Sequence, residues 1–148
     1  MRRNALAGQG GPGLADFAGR WALSRVIDDA LAGQRLMAEG FAQLAPDAQG
    51  LVYDETVELQ LADGQRLNGT RRYLWRADPA GGIAVHFADG RLFHRIAPGG
   101  VTSEDRHDCA PDLYVGAYDF TAWPMFRVVW QVRGPRKDYR METLYRPA

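Results

Sequence analysis

The sequence predicts an all-β protein, an antiparallel up-and-down barrel of eight to ten strands with a short N-terminal helical turn. Three observations carry that reading. From Gly19 onward, apolar and polar residues alternate or form β-rich runs. Turn residues interrupt those runs every 8 to 15 positions, and no apolar stripe with helical period is sustained anywhere. In order, a helical turn is expected over 14–18. Strands follow over 20–28, 34–45, 50–61, 65–77, 82–88, 91–97, 101–108, 112–120, 125–133 and 138–146. Residues 1–13, rich in glycine, are expected to form a flexible segment, and 14–148 a single domain.

At 148 residues the chain is long enough to bury a core without disulfides or structural metal. Its 18 basic and 18 acidic residues cancel, so no global field favours nucleic acid. Cys109 is the only cysteine and residues 1–13 hold no signal-like apolar core, so a cytoplasmic location is expected. No run reaches the roughly 18 apolar residues that span a bilayer, and no membrane insertion is expected. Lys137 is the single lysine among the basic residues; the arginine bias reads as a solvated surface.

Two turns set the register. In "LQLADGQRL" a two-residue loop would pair Leu61 with Arg66. A three-residue loop, Ala62 to Gly64, instead pairs Leu59 with Leu67, Glu55 with Arg71, Tyr53 with Tyr73 and Leu51 with Trp75. In "FADGRLF" the Asp89-Gly90 pair suits a two-residue turn, which sets Phe87 opposite Leu92, His86 opposite Phe93 and Val85 opposite His94. His86 is then a surface residue and His94 points inward.

The third strand places Leu51, Tyr53, Glu55, Val57, Leu59 and Leu61 on its inner face. A buried carboxylate without a partner costs several kcal/mol, so Glu55 is expected to pair with Arg71 across from it. On the first strand Trp21, Leu23, Arg25 and Ile27 share the inner face. Two arginines against one carboxylate leave a positive charge over, and this reading assigns it to Arg25.

A helical turn, then Gly19-Arg20-Trp21 entering the first strand, then a meander of hairpins ending in a C-terminal arginine, resembles the lipocalin and wider calycin barrels. The resemblance implies that Trp21 closes the barrel base and that Arg140 or Arg146 packs on its ring. From Phe17 onward the chain also resembles a bacterial family classed as a domain of unknown function. That resemblance rests on "GRWALSRVIDD", "LVYDETVEL", "RRYLW", "FADGRLFH", "HDCAPDLYVGAYDF" and "VRGPRKDYRMETLYR". It implies a calycin fold and no established activity.

The candidate site is the inner cluster Arg25, Tyr53, Glu55, Arg71, Tyr73 and His94, read either as an anchor for an anion or as a buried network that fixes register. In "HDCAPDLYVGAYDF", Pro111 is expected to cause a bulge. Asp112, Tyr114, Gly116 and Tyr118 then share a face, with Asp112 and Tyr114 near the barrel mouth and Gly116 making room for Trp130. His107 and Cys109 are too irregularly spaced for a zinc signature, and no metal or cofactor is predicted. "RGPRKDYR" reads as a solvated hairpin in preference to an anion gate, with Lys137 or Arg140 pairing Asp138.

Two functions remain. The leading one is an intracellular binding protein for a small, partly apolar, anionic molecule, held by Arg25, Arg71, Tyr53, Tyr73 and Tyr114 within walls that include Tyr118 and Trp130. The alternative is an enzyme with His94 as general acid or base, oriented by Glu55 or Asp112. Convergence of His94 and a carboxylate on open space favours chemistry; a hydrogen-bonded His94 in packed protein favours architecture. The oligomeric state is not legible.

Overall fold

The structure, a computed structural model, describes residues 11–148. A 3-10 helix, η1 (Leu14–Phe17), precedes β1 (Gly19–Asp29), β2 (Gln34–Asp47), β3 (Gly50–Gln60), β4 (Arg66–Ala77) and β5 (Ile83–Phe87). After these come β6 (Leu92–Ile96), β7 (Thr102–Cys109), β8 (Asp112–Asp119), β9 (Phe126–Gly134) and β10 (Lys137–Pro147). Every expected strand is present with its ends within two residues of the expected positions. Residues 1–10 of the expected flexible segment lie outside the described residues. No helix among the described residues is long and apolar enough to cross a membrane.

The strands form one antiparallel sheet in the order β6-β5-β4-β3-β2-β1-β10-β9-β8-β7. Pairing of β1 with β10, Trp21 opposite Pro147 through Asp29 opposite Tyr139, joins the chain's two ends. The sheet curls until β6 faces β7, where side chains replace a strand ladder. The Arg95 amide donates to Asp105 Oδ2 at 2.6 Å and the Ala97 amide to Ser103 Oγ at 2.9 Å. These two backbone donors at the seam are thus satisfied without strand pairing. The result is a nearly closed ten-stranded barrel.

Alternation decides what points inward. Trp21, Leu23 and Arg25 on β1 and Leu51, Tyr53, Glu55 and Val57 on β3 are all buried, as the period of two requires. One barrel end is sealed by aromatics. Phe17 of η1 and Trp21 are fully buried, and the Trp21 Nε1–H donates to the Phe17 carbonyl at 2.9 Å. Phe126 meets the Trp21 ring edge-on at 5.0 Å, and Trp123 lies 5.6 Å from it.

The expected arginine cover over Trp21 is not supplied by Arg140 or Arg146. Arg146 stands opposite Ala22 and Arg140 opposite Asp28, on the outer face of β10, because Thr143 and Tyr145 take the inward positions. Arg140 approaches Glu142 at 3.7 Å on that outer face.

The register around "LADGQ" is the expected one, Glu55 opposite Arg71 and Leu51 opposite Trp75. The turn in "FADGR" differs from expectation. Both tripeptides Ala-Asp-Gly form the same three-residue loop: the Leu61 amide donates to Gln65 O and the Phe87 amide to Arg91 O, each at 2.8 Å. In both loops the aspartate accepts from the amide two residues on, and Gly64 and Gly90 adopt positive φ, which glycine alone takes without cost. Val85 still faces His94, but His86 faces Leu92 and Phe93 is bulged between them. At Pro111 the expected bulge is a two-residue turn with a cis Ala110-Pro111 peptide, since Cys109 pairs with Asp112 directly.

Gly116 lies opposite Trp130, as expected, and a Cβ there would sit 2.5 Å from the indole. Gly116→Ala is therefore expected to destabilise the fold by about 1–3 kcal/mol through overpacking. Denaturant unfolding checks this; unchanged stability would mean that the ring is not confined.

Candidate functional site

The inner face centres on an ion pair between β1 and β3. Arg25 Nη1 and Nη2 donate to Glu55 Oε2 and Oε1 at 2.8 and 2.7 Å, and Arg25 Nε donates to Thr143 Oγ1 at 2.8 Å. The Tyr53 hydroxyl donates to Glu55 Oε1 at 2.6 Å, so the Tyr145 hydroxyl, 2.8 Å away, donates to Tyr53. Arg25 and Glu55 are 9% and 3% exposed, which makes this a desolvated, fully satisfied network. Burial pushes the Glu55 carboxyl up, but the Arg25 hydrogen bonds and charge outweigh it and hold Glu55 below the usual carboxylate range. Burial pushes Tyr145 up to about 12 and raises Tyr53 well above its ordinary value, so both phenols stay protonated.

This reverses the expected pairing. Glu55 and Arg71 are Cα partners, yet the carboxylate is occupied by Arg25. The cause is the inner face of β2, where Ala38, Gly40 and Ala42 stand between β1 and β3. Small residues leave the guanidinium a clear path over β2. Arg71 donates to the Tyr73 hydroxyl at 3.1 Å and has no carboxylate within ion-pair distance among the described residues. The uncompensated charge exists as expected, but on Arg71.

Arg71 stands where two spaces meet. Below it, an internal cavity of about 60 Å³ is lined by Tyr53, Tyr73, Phe93, His94, Tyr118 and Trp130 among others. That is room for about two waters at roughly 30 Å³ each. Above it, at the end opposite Trp21, an open recess of about 330 Å³ has mainly apolar walls from Ile27, Ala38, Val57, Leu59, Leu67 and Met141, with Asn68 and Thr70 among them. Arg25, Glu55 and Arg71 form the boundary, since they line both spaces. Leu67 faces inward by register yet is 52% exposed, an apolar lip without cover.

His94 is buried and lines the cavity of about 60 Å³, as Glu55 does. Its Nε2 lies 2.9 Å from the Tyr118 hydroxyl, and burial lowers its pKa to about 3, so the ring is neutral. Nδ1 is buried and has no hydrogen-bond partner among the described residues. Phe93 and Trp130 stack at 4.8 Å, and His94 stands edge-on to both. Among the described residues no carboxylate is hydrogen-bonded to the ring, and Asp105 acts on it only through its charge.

Asp112 and Tyr114 are at the rim of the open end and line neither space. Lys137 Nζ bridges them, 3.1 Å from Asp112 Oδ2 and 2.9 Å from the Tyr114 hydroxyl. Lys137 thus pairs with Asp112 rather than Asp138, because the two-residue turn at Pro111 carries Asp112 to β9 and β10. His107 packs edge-on against Phe87 and Phe93 while Cys109 is exposed, so the two do not converge.

Phe93, Val128, Met141, Thr143 and Tyr145 line the cavity although none was expected on the inner face. Thr143 and Tyr145 face Arg25 and Leu23 through the β1–β10 pairing, and Phe93 enters through the bulge. The repeated Ala-Asp-Gly tripeptide was the available signal for Phe93. For Thr143 and Tyr145 the signal was the alternation of Met141, Thr143 and Tyr145, although no turn connects β10 to β1 to set their register.

Fold and site together define a lipocalin-like barrel with a charged interior and an apolar mouth. The chain belongs to a family of unknown function, DUF6314, which matches residues 17–147. Among solved structures the fold is similar to that of the S-type phycobiliprotein lyase CPES from Guillardia theta. The TM-score is 0.59 at 10% identity, covering 89% of this chain and 87% of that one. No curated protein matches the sequence.

Proposed function

We propose that the barrel binds a small, partly apolar, anionic molecule in its open mouth, with Arg71 as the anion anchor. The observation that carries this reading is the position of Arg71, a partly exposed cation without a carboxylate partner among the described residues, in a recess whose walls are largely apolar. Arg25, Glu55 and Arg71 sum to one positive charge with His94 neutral, so a bound anion completes the balance. A recess of about 330 Å³ lies within the size range of small-molecule sites, whereas the cavity beneath it does not.

The placement of His94 supports binding over catalysis. A neutral ring bonded to Tyr118, and hydrogen-bonded to no carboxylate among the described residues, lacks the orienting partner that general-base chemistry uses. Asp112, the other candidate, is bonded to Lys137 outside the cavity. Fold likeness decides neither way, since one scaffold hosts both classes. An intracellular, cytoplasmic location fits the single exposed cysteine, Cys109.

Titration with 1-anilinonaphthalene-8-sulfonate, an apolar monoanion, tests the reading by fluorescence. Saturable one-to-one binding is expected, weakened about 10- to 100-fold in folded Arg71→Met, the loss of a charge-assisted contact. Equal affinity in both proteins would rule out Arg71 as anchor.

A further inference from the structure

We infer that the ligand is a monoanion that enters head first, with its charged group at the depth of Arg71 and its apolar part in the mouth. This rests on the reading of the mouth as a binding site. The polarity gradient sets the orientation. By register the Leu59–Leu67 pair lies nearer the open end than the Glu55–Arg71 pair, and Ile27 joins it, so the outer walls are mainly aliphatic, with Asn68 and Thr70 between, and the charges lie deeper. A ligand entering tail first would put hydrocarbon against Arg25, Glu55 and Arg71 and leave Arg71 desolvated without a counter-charge.

Charge count sets the valence. Arg71 contributes the one unmatched positive charge, and Glu55 lies close enough to act on Arg71 electrostatically. A carboxylate or sulfonate neutralises the site. A phosphate monoester, with about 1.5 to 2 negative charges near neutral pH, would face Glu55 with charge to spare. The recess opens to solvent and sets no fixed length; its volume of about 330 Å³ admits a medium-chain carboxylate, for which decanoate is the probe.

The four tryptophans provide the depth gauge. Trp75 and Trp130 line the cavity beneath Arg71, Trp21 and Trp123 pack at the sealed end, and none lines the mouth. Tryptophan quenching is therefore compared at saturation with 2-bromodecanoate and 10-bromodecanoate, while calorimetry measures the binding of each and of decyl phosphate. Head-first entry predicts at least twofold stronger quenching by the 2-bromo compound and at least tenfold weaker binding of decyl phosphate than of decanoate. Stronger or equal quenching by the 10-bromo compound would overturn the orientation while leaving the mouth as the site. Equal binding of the phosphate would overturn the valence. Absence of binding by both bromodecanoates would overturn the underlying reading itself.

Discussion

Glu55→Gln and Arg25→Met are each expected to destabilise the barrel by about 3 to 5 kcal/mol, and the double mutant less than the sum of the two. Glu55→Gln leaves Arg25, 9% exposed, without its carboxylate, and Arg25→Met leaves Glu55, 3% exposed, with only the more distant charge of Arg71. Removing both takes the desolvation penalty away with the attraction. Arg71→Met is expected to cost less than about 1 kcal/mol, since its side chain is exposed and outside the pair. Urea unfolding followed by tryptophan fluorescence distinguishes the arginines. Near-wild-type stability in both Glu55→Gln and Arg25→Met, with a large loss in Arg71→Met, would restore the pairing that the register alone suggests.

Acidification from pH 7 to pH 5 is expected to cost about 2 kcal/mol of stability through His94, at a limiting slope of about 1.4 kcal/mol per pH unit. Burial lowers the folded-state pKa to about 3 from the ordinary 6.5. Between those values the unfolded chain binds the proton and the folded chain does not. Stability is thus fully present above the unfolded value and falls as pH drops toward the folded one. Glu55, also lowered, adds its own loss only below the ordinary carboxylate range, so the window from pH 7 to pH 5 isolates the histidine. His94→Phe keeps a ring in place and is expected to lose the slope, whatever its stability at pH 7. A slope that persists in His94→Phe would mean another group titrates.

The strands were legible because their determinants are local. Alternation marks Leu51 through Leu61, and the Ala-Asp-Gly tripeptides mark the hairpins. Glu55 was legible as buried, but its partner was not. Cross-strand register places Cα atoms, while a guanidinium reaches past a neighbouring strand wherever small side chains let it. Ala38, Gly40 and Ala42 are alternate residues in the sequence, and their bearing on Arg25 emerges only once β1, β2 and β3 lie side by side. The roles of Arg140 and Arg146 failed for a related reason. Which face they occupy is set by the β1–β10 closure, a contact between the chain's ends that no turn dictates.

Arg71, rather than Arg25, is the arginine proposed to meet the ligand. NMR of the arginine Nε–Hε groups in ¹⁵N-labelled protein tests this directly, with decanoate as titrant and Arg71→Lys to assign the resonance. A saturable shift of the Arg71 signal is expected, with an Arg25 signal that stays in place, held by Thr143 and Glu55. A saturable shift of Arg25 with Arg71 unmoved would contradict it.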